Sequence, residues 1–326
     1  MTIHKVFVLC SILFTSVCLI SCSKKSGKET TPAPEPDIVL SQGWDTISVS
    51  PTYIYDLHFG DPMVGYLLGG PIQKTTDGGK TWKPTKSQPE FSGPNCFFLN
   101  ANTGWVSSRN FIYKTTDGGD SWEKILLLIE GAVAGAPTRI QFLDEHIGYC
   151  ITESGLIKTN DGGYTWSWAF KNVTGPRVGT GLYILDPLTG WAAGNGGINR
   201  VVDGVDAGKT TIDDVAVHAI QFFNANSGLA LGFSGKLFKT DDGGKTWNLS
   251  MTLDLKNAID LHFFDKENGY VSGSNGVVKI SGEQAEKVVQ VKNDAAHIGE
   301  LHFISNKKGF VGDMRYRRLF RYNAPN

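Results

Sequence analysis

The sequence predicts an all-β fold: a single seven-bladed β-propeller of four-stranded antiparallel blades, closed by an N-terminal strand that completes the last blade. Three observations carry this prediction. First, one phrase recurs seven times: an apolar strand, a polar turn, a glycine usually followed by an aromatic residue, and a second strand. Its marker glycines Gly65, Gly104, Gly148, Gly190, Gly228, Gly269 and Gly309 are spaced 39, 44, 42, 38, 41 and 40 residues apart. That period suits one blade of four short strands with turns. Second, the segments are rich in β-branched and aromatic residues and broken by Gly and Asn, which punctuates strands rather than helices. Third, glycine makes up 39 of 326 residues, well above the usual ~7%, with no collagen-like period.

The chain opens with an address. Lys5 precedes a 15-residue apolar run, Val6 to Ile20, shorter than the ~20 residues of a bilayer-spanning helix and fitting the core of a signal peptide. It ends in Leu19-Ile20-Ser21-Cys22, which resembles the lipobox of bacterial lipoproteins. Residues 1–21 are therefore expected to be removed, and Cys22 to be lipidated and to anchor the chain to a membrane. The alternative is an ordinary secretory signal. The expected location is the bacterial cell envelope, periplasmic or surface-exposed, with the outer membrane favoured. Residues 22–37, almost without apolar side chains and holding three prolines, read as a flexible tether. Residues 38–326 are expected to form the propeller.

Gly43-Trp44-Asp45-Thr46-Ile47-Ser48 has the Gly/Thr/Ser-Trp entry of a fourth strand, and Trp44 precedes Trp82 by one period. The seventh repeat runs out after three strands, so this segment is expected to complete it, pairing near Arg318 to Tyr322. Of the cysteines outside the leader and the anchor, Cys96 and Cys150 fall on different strand positions and are expected to be two separate buried thiols.

A second marker closes the blades. Thr75-Thr76-Asp77-Gly78-Gly79-Lys80-Thr81-Trp82 recurs at Thr115–Trp122, Thr159–Trp166 and Thr240–Trp247. Four copies in register place the same residue types at each: Thr75, Asp77, Gly79, Trp82; Thr115, Asp117, Gly119, Trp122; Thr159, Asp161, Gly163, Trp166; and Thr240, Asp242, Gly244, Trp247. The glycine pair supplies positive φ between the third and fourth strands. The Asp carboxylate and Thr hydroxyl can accept bonds from turn amides, and the Trp packs beside the blade. A device present in blade after blade is structural, since catalysis or calcium binding needs its residues once. The fourth (Val202 to Thr211), sixth (Ile280 to Lys287) and seventh copies are degraded, so those turns need other means.

These boxes, with the turns between first and second strands, share one rim. The opposite rim carries the turns between second and third strands and the long connectors between blades. Its variable chemistry makes it the expected binding face, with Arg109, Glu153, Arg177, Asn195, Asn275, Arg315 and Tyr316 as candidates. Met314-Arg315-Tyr316-Arg317-Arg318 is the dense basic cluster, either a solvated hairpin edge or a dock for an acidic surface. His58, His262 and His302 share one inner-strand slot, with Asp56, Asp260 and Glu300 two residues earlier. They could form a metal site. However, Gln141 and Gln221 fill the same slot elsewhere, which favours a polar position bonding to the next blade. No cofactor is expected.

The marked glycine phrase and the Asp-box, which is also the bacterial neuraminidase repeat, are similar to those of the photosystem II stability/assembly factor-like family of seven-bladed propellers. The resemblance spans residues 38–326. It implies a non-enzymatic protein that binds protein subunits during assembly, docking through an arginine-rich surface that has no residue-by-residue match here. Nothing in this chain indicates a photosynthetic host, and the same module resembles that of bacterial envelope lipoproteins. The partner expected is another envelope protein or complex.

Balanced charge, 31 basic against 32 acidic residues, argues against nucleic acid. Sialidases share the Asp-box but carry an early Arg-Ile-Pro segment. Here Arg139-Ile140 is followed by Gln141 and lies in the third repeat. A glycosidase also needs two carboxyls about 5–10 Å apart. A carbohydrate-binding or glycan-processing, glycosidase-like lipoprotein is the competing reading, with Trp105, Trp168 and Trp191 as possible sugar platforms.

Overall fold

The computed structural model describes residues 37–49, 53–90, 95–171, 181–194, 197–203, 205–292, 298–315 and 318–325. Seven antiparallel blades form a closed ring. The inner strands are Asp56–Phe59, Asn95–Phe98, Pro137–Phe142, Leu182–Asp186, Val217–Phe222, Ala258–Phe263 and Ile298–Ser305. In each of the first six blades the chain then steps outward through three more strands. The seventh blade has only two more of its own, Lys308–Asp313 and Arg318–Asn323, and takes Trp44–Ser48 as its fourth. Trp44 pairs with Tyr322 and Ser48 with Arg318, antiparallel and without a bulge. The directly opposed Asp45 and Arg321 form a two-bond ion pair.

One blade departs from the four-stranded expectation. Ile38–Leu40 pairs with Val289–Val291 as a fifth strand on the outer edge of blade six. The chain thus enters on the connector rim, where the Asp37 carbonyl accepts from the Lys292 amide. It crosses blade six and turns at Gly43 into the clasp of blade seven. Two neighbouring blades are tied by one N-terminal segment.

The seams explain the repeating phrase. At five of the seven seams the aromatic after the marker glycine lies on a second strand and stacks on the inner-strand Phe of the next blade. Tyr66 lies on Phe98, Trp105 on Phe142 and Trp191 on Phe222, with ring centroids 3.5, 3.5 and 3.4 Å apart. Tyr270 on Phe303 and Phe310 on Phe59 repeat this at two further seams. The box Trp of the receiving blade then meets that Phe edge-on, as Trp122 does Phe98 and Trp166 does Phe142. Trp44 stands in the same relation to Phe303, so the clasp supplies the missing ring of blade seven. Each stack adds about 0.5–1.5 kcal/mol beyond its buried area.

In six blades the marker glycine makes room for the inner-strand Phe lying flat on its own second strand, and in blade four Ile184 takes that place. A Cβ at Gly104 would stand 2.2 Å from Phe98 Cδ1, and one at Gly148 2.5 Å from Phe142 Cε1. Blade six, which lacks the box, uses a tighter turn: Ser281 pairs with Gln284 across Gly282 at φ +61°. Cys96 and Cys150 are free and buried.

Candidate functional site

The four Asp-boxes are one hydrogen-bonded device repeated. The Thr75 hydroxyl donates to Asp77 Oδ1 (2.8 Å) and accepts from the Gly79 amide (2.8 Å). Asp77 Oδ1 accepts from the amides of Lys80 and Thr81, and Oδ2 from the Thr81 hydroxyl (2.6 Å). Gly78 and Gly79 sit at φ +68° and +79°. The same bonds join Thr115, Asp117, Gly119 and Ser121, then Thr159, Asp161, Gly163 and Thr165. They recur at Thr240, Asp242, Gly244 and Thr246. Bonds from the Thr81 hydroxyl and amide hold the Asp77 carboxyl below the usual carboxylate range, and those from Ser121 hold Asp117 at about 2. Every strong acceptor of the box is thus occupied by its own turn. Asp77→Ala is expected to cost about 1–2 kcal/mol by stranding two amides and two hydroxyls, read as a lower melting temperature with the fold retained.

The central channel gathers the chemistry-bearing side chains. Inner-strand residues meet there in two layers. In the layer nearer the connectors, blades one to seven contribute Asp56, Asn95, Arg139, Gly181, Ala219, Asp260 and Glu300, around a cavity of about 200 Å³. Arg139 crosses the lumen: its Nη1 lies 3.0 Å from Glu300 Oε2 and its Nη2 3.9 Å from Asp260 Oδ1. The carboxylates also bind neighbouring blades. Asp56 Oδ2 accepts from Asn95 Nδ2 and from the Cys96 amide, both at 2.7 Å. Asn95 Oδ1 accepts from the Ile140 amide, and Asp260 Oδ2 from that of Leu301.

Two residues further along lies the layer with the histidines. His58 Nδ1 accepts from the Phe98 amide at 3.3 Å. Gln141 makes two bonds to Ile184 of the next blade, one through each amide atom, and Gln221 makes the same two to Phe263. In blades one, three and five this slot is a polar stitch to the next inner strand, whose backbone does not pair with its own.

The three histidines do come together: ring centroids are 4.9 Å apart for His58 and His302, and 6.1 Å for His262 and His302. Their setting does not suit a cation. His58 Nδ1 already accepts a backbone proton, so its other nitrogen carries the hydrogen in the neutral ring. Among the described residues no group of three or more His, Cys, Asp or Glu is arranged to hold a metal. Burial and then Arg139 push His58 down to about 4, and burial does the same to His262. Burial and the neighbouring rings push His302 well down. Burial raises Asp56 and Asp260 most, with Glu300 adding and Arg139 opposing. For Arg139 burial works against the charge, yet Glu300, Asp260 and Asp56 outweigh it and keep the guanidinium ionised. The network binds blades one, two, three, six and seven to each other.

The binding-face candidates separate. Arg177, Asn195 and Tyr316 lie outside the described residues, as does Cys22. Asn275 is committed to bracing its connector: Oδ1 accepts from the Lys256 amide and Nδ2 reaches the Asp254 carbonyl. Glu153 and Arg315 are exposed on the connector rim. Arg318, at the end of the basic cluster, turns inward with Nε 3.5 Å from the buried Asp313. Arg109 is exposed in the turn after the second strand of blade two, at φ +45°. It borders a groove of about 690 Å³ between blades one and two.

Two of the three tryptophans proposed as sugar platforms are buried, and the third is half-buried. Trp105 and Trp191 are buried in seams, their indole N–H groups donating to Gly162 and Gly243 carbonyls of the following Asp-box. Trp168 packs against the cluster around Ile140 and Phe142. Among the described residues the exposed aromatic side chains are instead Tyr53, beside Tyr55, and Tyr164 of the third Asp-box.

Fold and site together define a seven-bladed Asp-box propeller in which the polar residues of the boxes and the lumen hold the ring. A family model described as photosynthesis system II assembly factor YCF48 matches residues 37–184, from the fifth strand of blade six to the first strand of blade four. Among solved structures the chain is similar to "YCF48 bound to D1 peptide", at 21% identity and a TM-score of 0.67. That match covers 89% of this chain and 100% of the other. It is similar also to YCF48 from Cyanidioschyzon merolae, at 20% identity and a TM-score of 0.68, over 86% of this chain and 99% of that one. The virginiamycin B lyase of Staphylococcus aureus has the same architecture at 11% identity, a TM-score of 0.63, and coverage of 89% and 100%. No curated protein sequence matches the chain.

Proposed function

We propose that the protein is a non-catalytic, envelope-anchored scaffold that binds another protein on its connector rim. The observation that carries the reading is the division of labour around the ring. The recurring polar chemistry of the repeats, from the box Asp and Thr to Asp56, His58, Gln141, Gln221, Asp260 and Glu300, is bonded to turn groups, to neighbouring blades or to Arg139. The connector rim instead presents exposed charged and aromatic side chains that no blade requires. The match of residues 37–184 to an assembly-factor model supports the same reading, as does a similar propeller solved with a bound peptide. Anchoring through Cys22 rests on the Leu19–Cys22 sequence. The chain joins the ring at Asp37, on the connector rim, so a tether reaching a membrane would begin on the binding side.

The test is site-specific photo-crosslinking in the native cell. A benzophenone amino acid at Glu153, on the connector rim, is expected to yield a discrete crosslinked protein. One at Met63, exposed on the Asp-box rim, is expected to yield none. Discrete adducts from Met63 alone, or from neither site, would count against the reading.

A further inference from the structure

We infer that the groove between blades one and two is a peptide-binding site, taking an extended segment that alternates acidic with aromatic or branched apolar residues. This rests on the protein-binding reading above and specifies its site. The floor of the groove is built by the sheet register. Lys124 opposes Tyr113 and Leu126 opposes Phe111 on the two outer strands of blade two, and directly opposed residues share a face. Tyr53 and Tyr55 of the entry to blade one form the other wall, their rings 6.1 Å apart. The Tyr113 hydroxyl donates to the Glu90 carbonyl at 2.7 Å and fixes the connector that closes one end.

Three observations point to the occupant. First, the groove carries two cations against one acid, Arg109 and Lys124 against Glu90. Lys124 lies over the Phe111 ring at 4.0 Å, and among the described residues neither cation is paired with a carboxylate. An occupant with negative charge completes them. Second, Arg109 holds a left-handed backbone conformation, φ +45°, which is strained for a residue with a Cβ. Such strain gathers at functional positions. Here it sets a guanidinium at the groove mouth. Third, the aromatic floor runs on into exposed aliphatic surface. Leu126 and Leu128 flank the buried Leu127 and emerge on one side, and Leu128 pairs with Val133 on the short hairpin beyond. These three aliphatic side chains are 42–48% exposed. A run of leucine and valine beside aromatic rings fits apolar side chains. It offers little to a sugar, whose hydroxyls need polar partners, and Lys124 already covers the Phe111 face that a sugar would stack on.

The experiment pans a phage-displayed library of random twelve-residue peptides against the folded protein, then titrates synthetic, fluorescently labelled copies of the enriched sequences. Enrichment of acidic, aromatic–aliphatic alternation is expected. Binding should weaken at least tenfold in the Arg109→Glu/Lys124→Glu double variant and also in Tyr53→Ala, and should fall with added salt. Glu283→Lys, exposed on the opposite rim in the outer turn of blade six, should leave it unchanged. Arg109→Gly relieves the backbone strain, so its loss of affinity reports the guanidinium and not misfolding. Absence of enriched peptides, enrichment of neutral or basic ones, or affinity untouched by the double variant would overturn the groove as the site. The crosslinking result at Glu153 would stand apart from any of these. A panel of linear oligosaccharides, cellohexaose and oligogalacturonate among them, is titrated in parallel. Binding of a glycan that the double variant abolishes would overturn the peptide assignment.

Discussion

In a soluble form lacking residues 1–22, deletion through residue 37 is expected to leave the melting temperature unchanged, whereas deletion through residue 50 lowers it by roughly 5–15 °C and brings aggregation. The geometry of the clasp sets the size of this step. Trp44 is 7% exposed and meets Tyr270, Phe303 and Tyr322 with ring centroids 5.9, 6.3 and 5.3 Å away. Removing that ring alone, as Trp44→Ala, is expected to cost about 3–5 kcal/mol. Loss of the whole strand also frees the edge of Arg318–Asn323, whose five partners in the clasp are gone, and leaves Arg321 without Asp45. A deletion ending at Ser41 separates the two N-terminal strands, because it removes only Ile38–Leu40 from the outer edge of blade six. Its effect should be small, since those residues are only partly buried. Calorimetry of the three truncations, with light scattering for aggregation, checks the order. Equal melting of the forms beginning at residues 23 and 51 would mean that the ring does not depend on this seam.

The clasp was legible in the sequence because it obeys the phase of the repeat. Trp44 stands one period before Trp82, and the last repeat lacks a strand. The box turns were legible for a similar reason: four copies of Thr-x-Asp-x-Gly in register expose a local device whose bonds lie within eight residues. Other features were hidden by their range. Ile38–Leu40 is three residues long and carries no turn signal, so nothing marks it as a fifth strand. The marker glycines were visible, but what they make room for is the inner-strand Phe of the same blade, or Ile184 in blade four, a packing fact that spacing alone does not give. The burial of Trp105 and Trp191 follows from the seam stacks, and it removes two of the three sugar platforms that the sequence suggested. Arg139 is the clearest case. It was noted only for the residue that follows it, although it occupies the slot of Asp56, Asp260 and Glu300. Its partner Glu300 is 161 residues away, and the two meet only because the ring closes.

Arg139→Gln should accordingly be the most damaging single change in the lumen, costing about 3–5 kcal/mol at neutral pH, because it leaves buried carboxylates without their countercharge. The guanidinium is 18% exposed, with Asp260 and Glu300 at 14% and 19%, so solvent screens the pair little. The loss should depend on pH with a defined sign. Burial and then Glu300 raise Asp56 and Asp260 in the fold, and the Arg139 guanidinium is the strongest restraint on the rise. Without it their folded values climb further. A carboxyl raised by folding stabilises below its unfolded value, near 3.8, and loses that contribution as pH increases through the folded value. His58 changes in the same direction. It is held neutral and down at about 4, partly by Arg139, so in the parent protein acid favours the unfolded chain from about pH 6.5 downward. Removing the guanidinium lets His58 accept a proton more readily and relieves that acid penalty. Both effects make the deficit of Arg139→Gln largest near pH 8 and smaller near pH 5. Urea denaturation of the two proteins across this interval measures it. A difference in stability independent of pH would show that Arg139 acts in the lumen by packing alone. A deficit that grows toward acid would reverse the electrostatic account of how the ring is held at its centre.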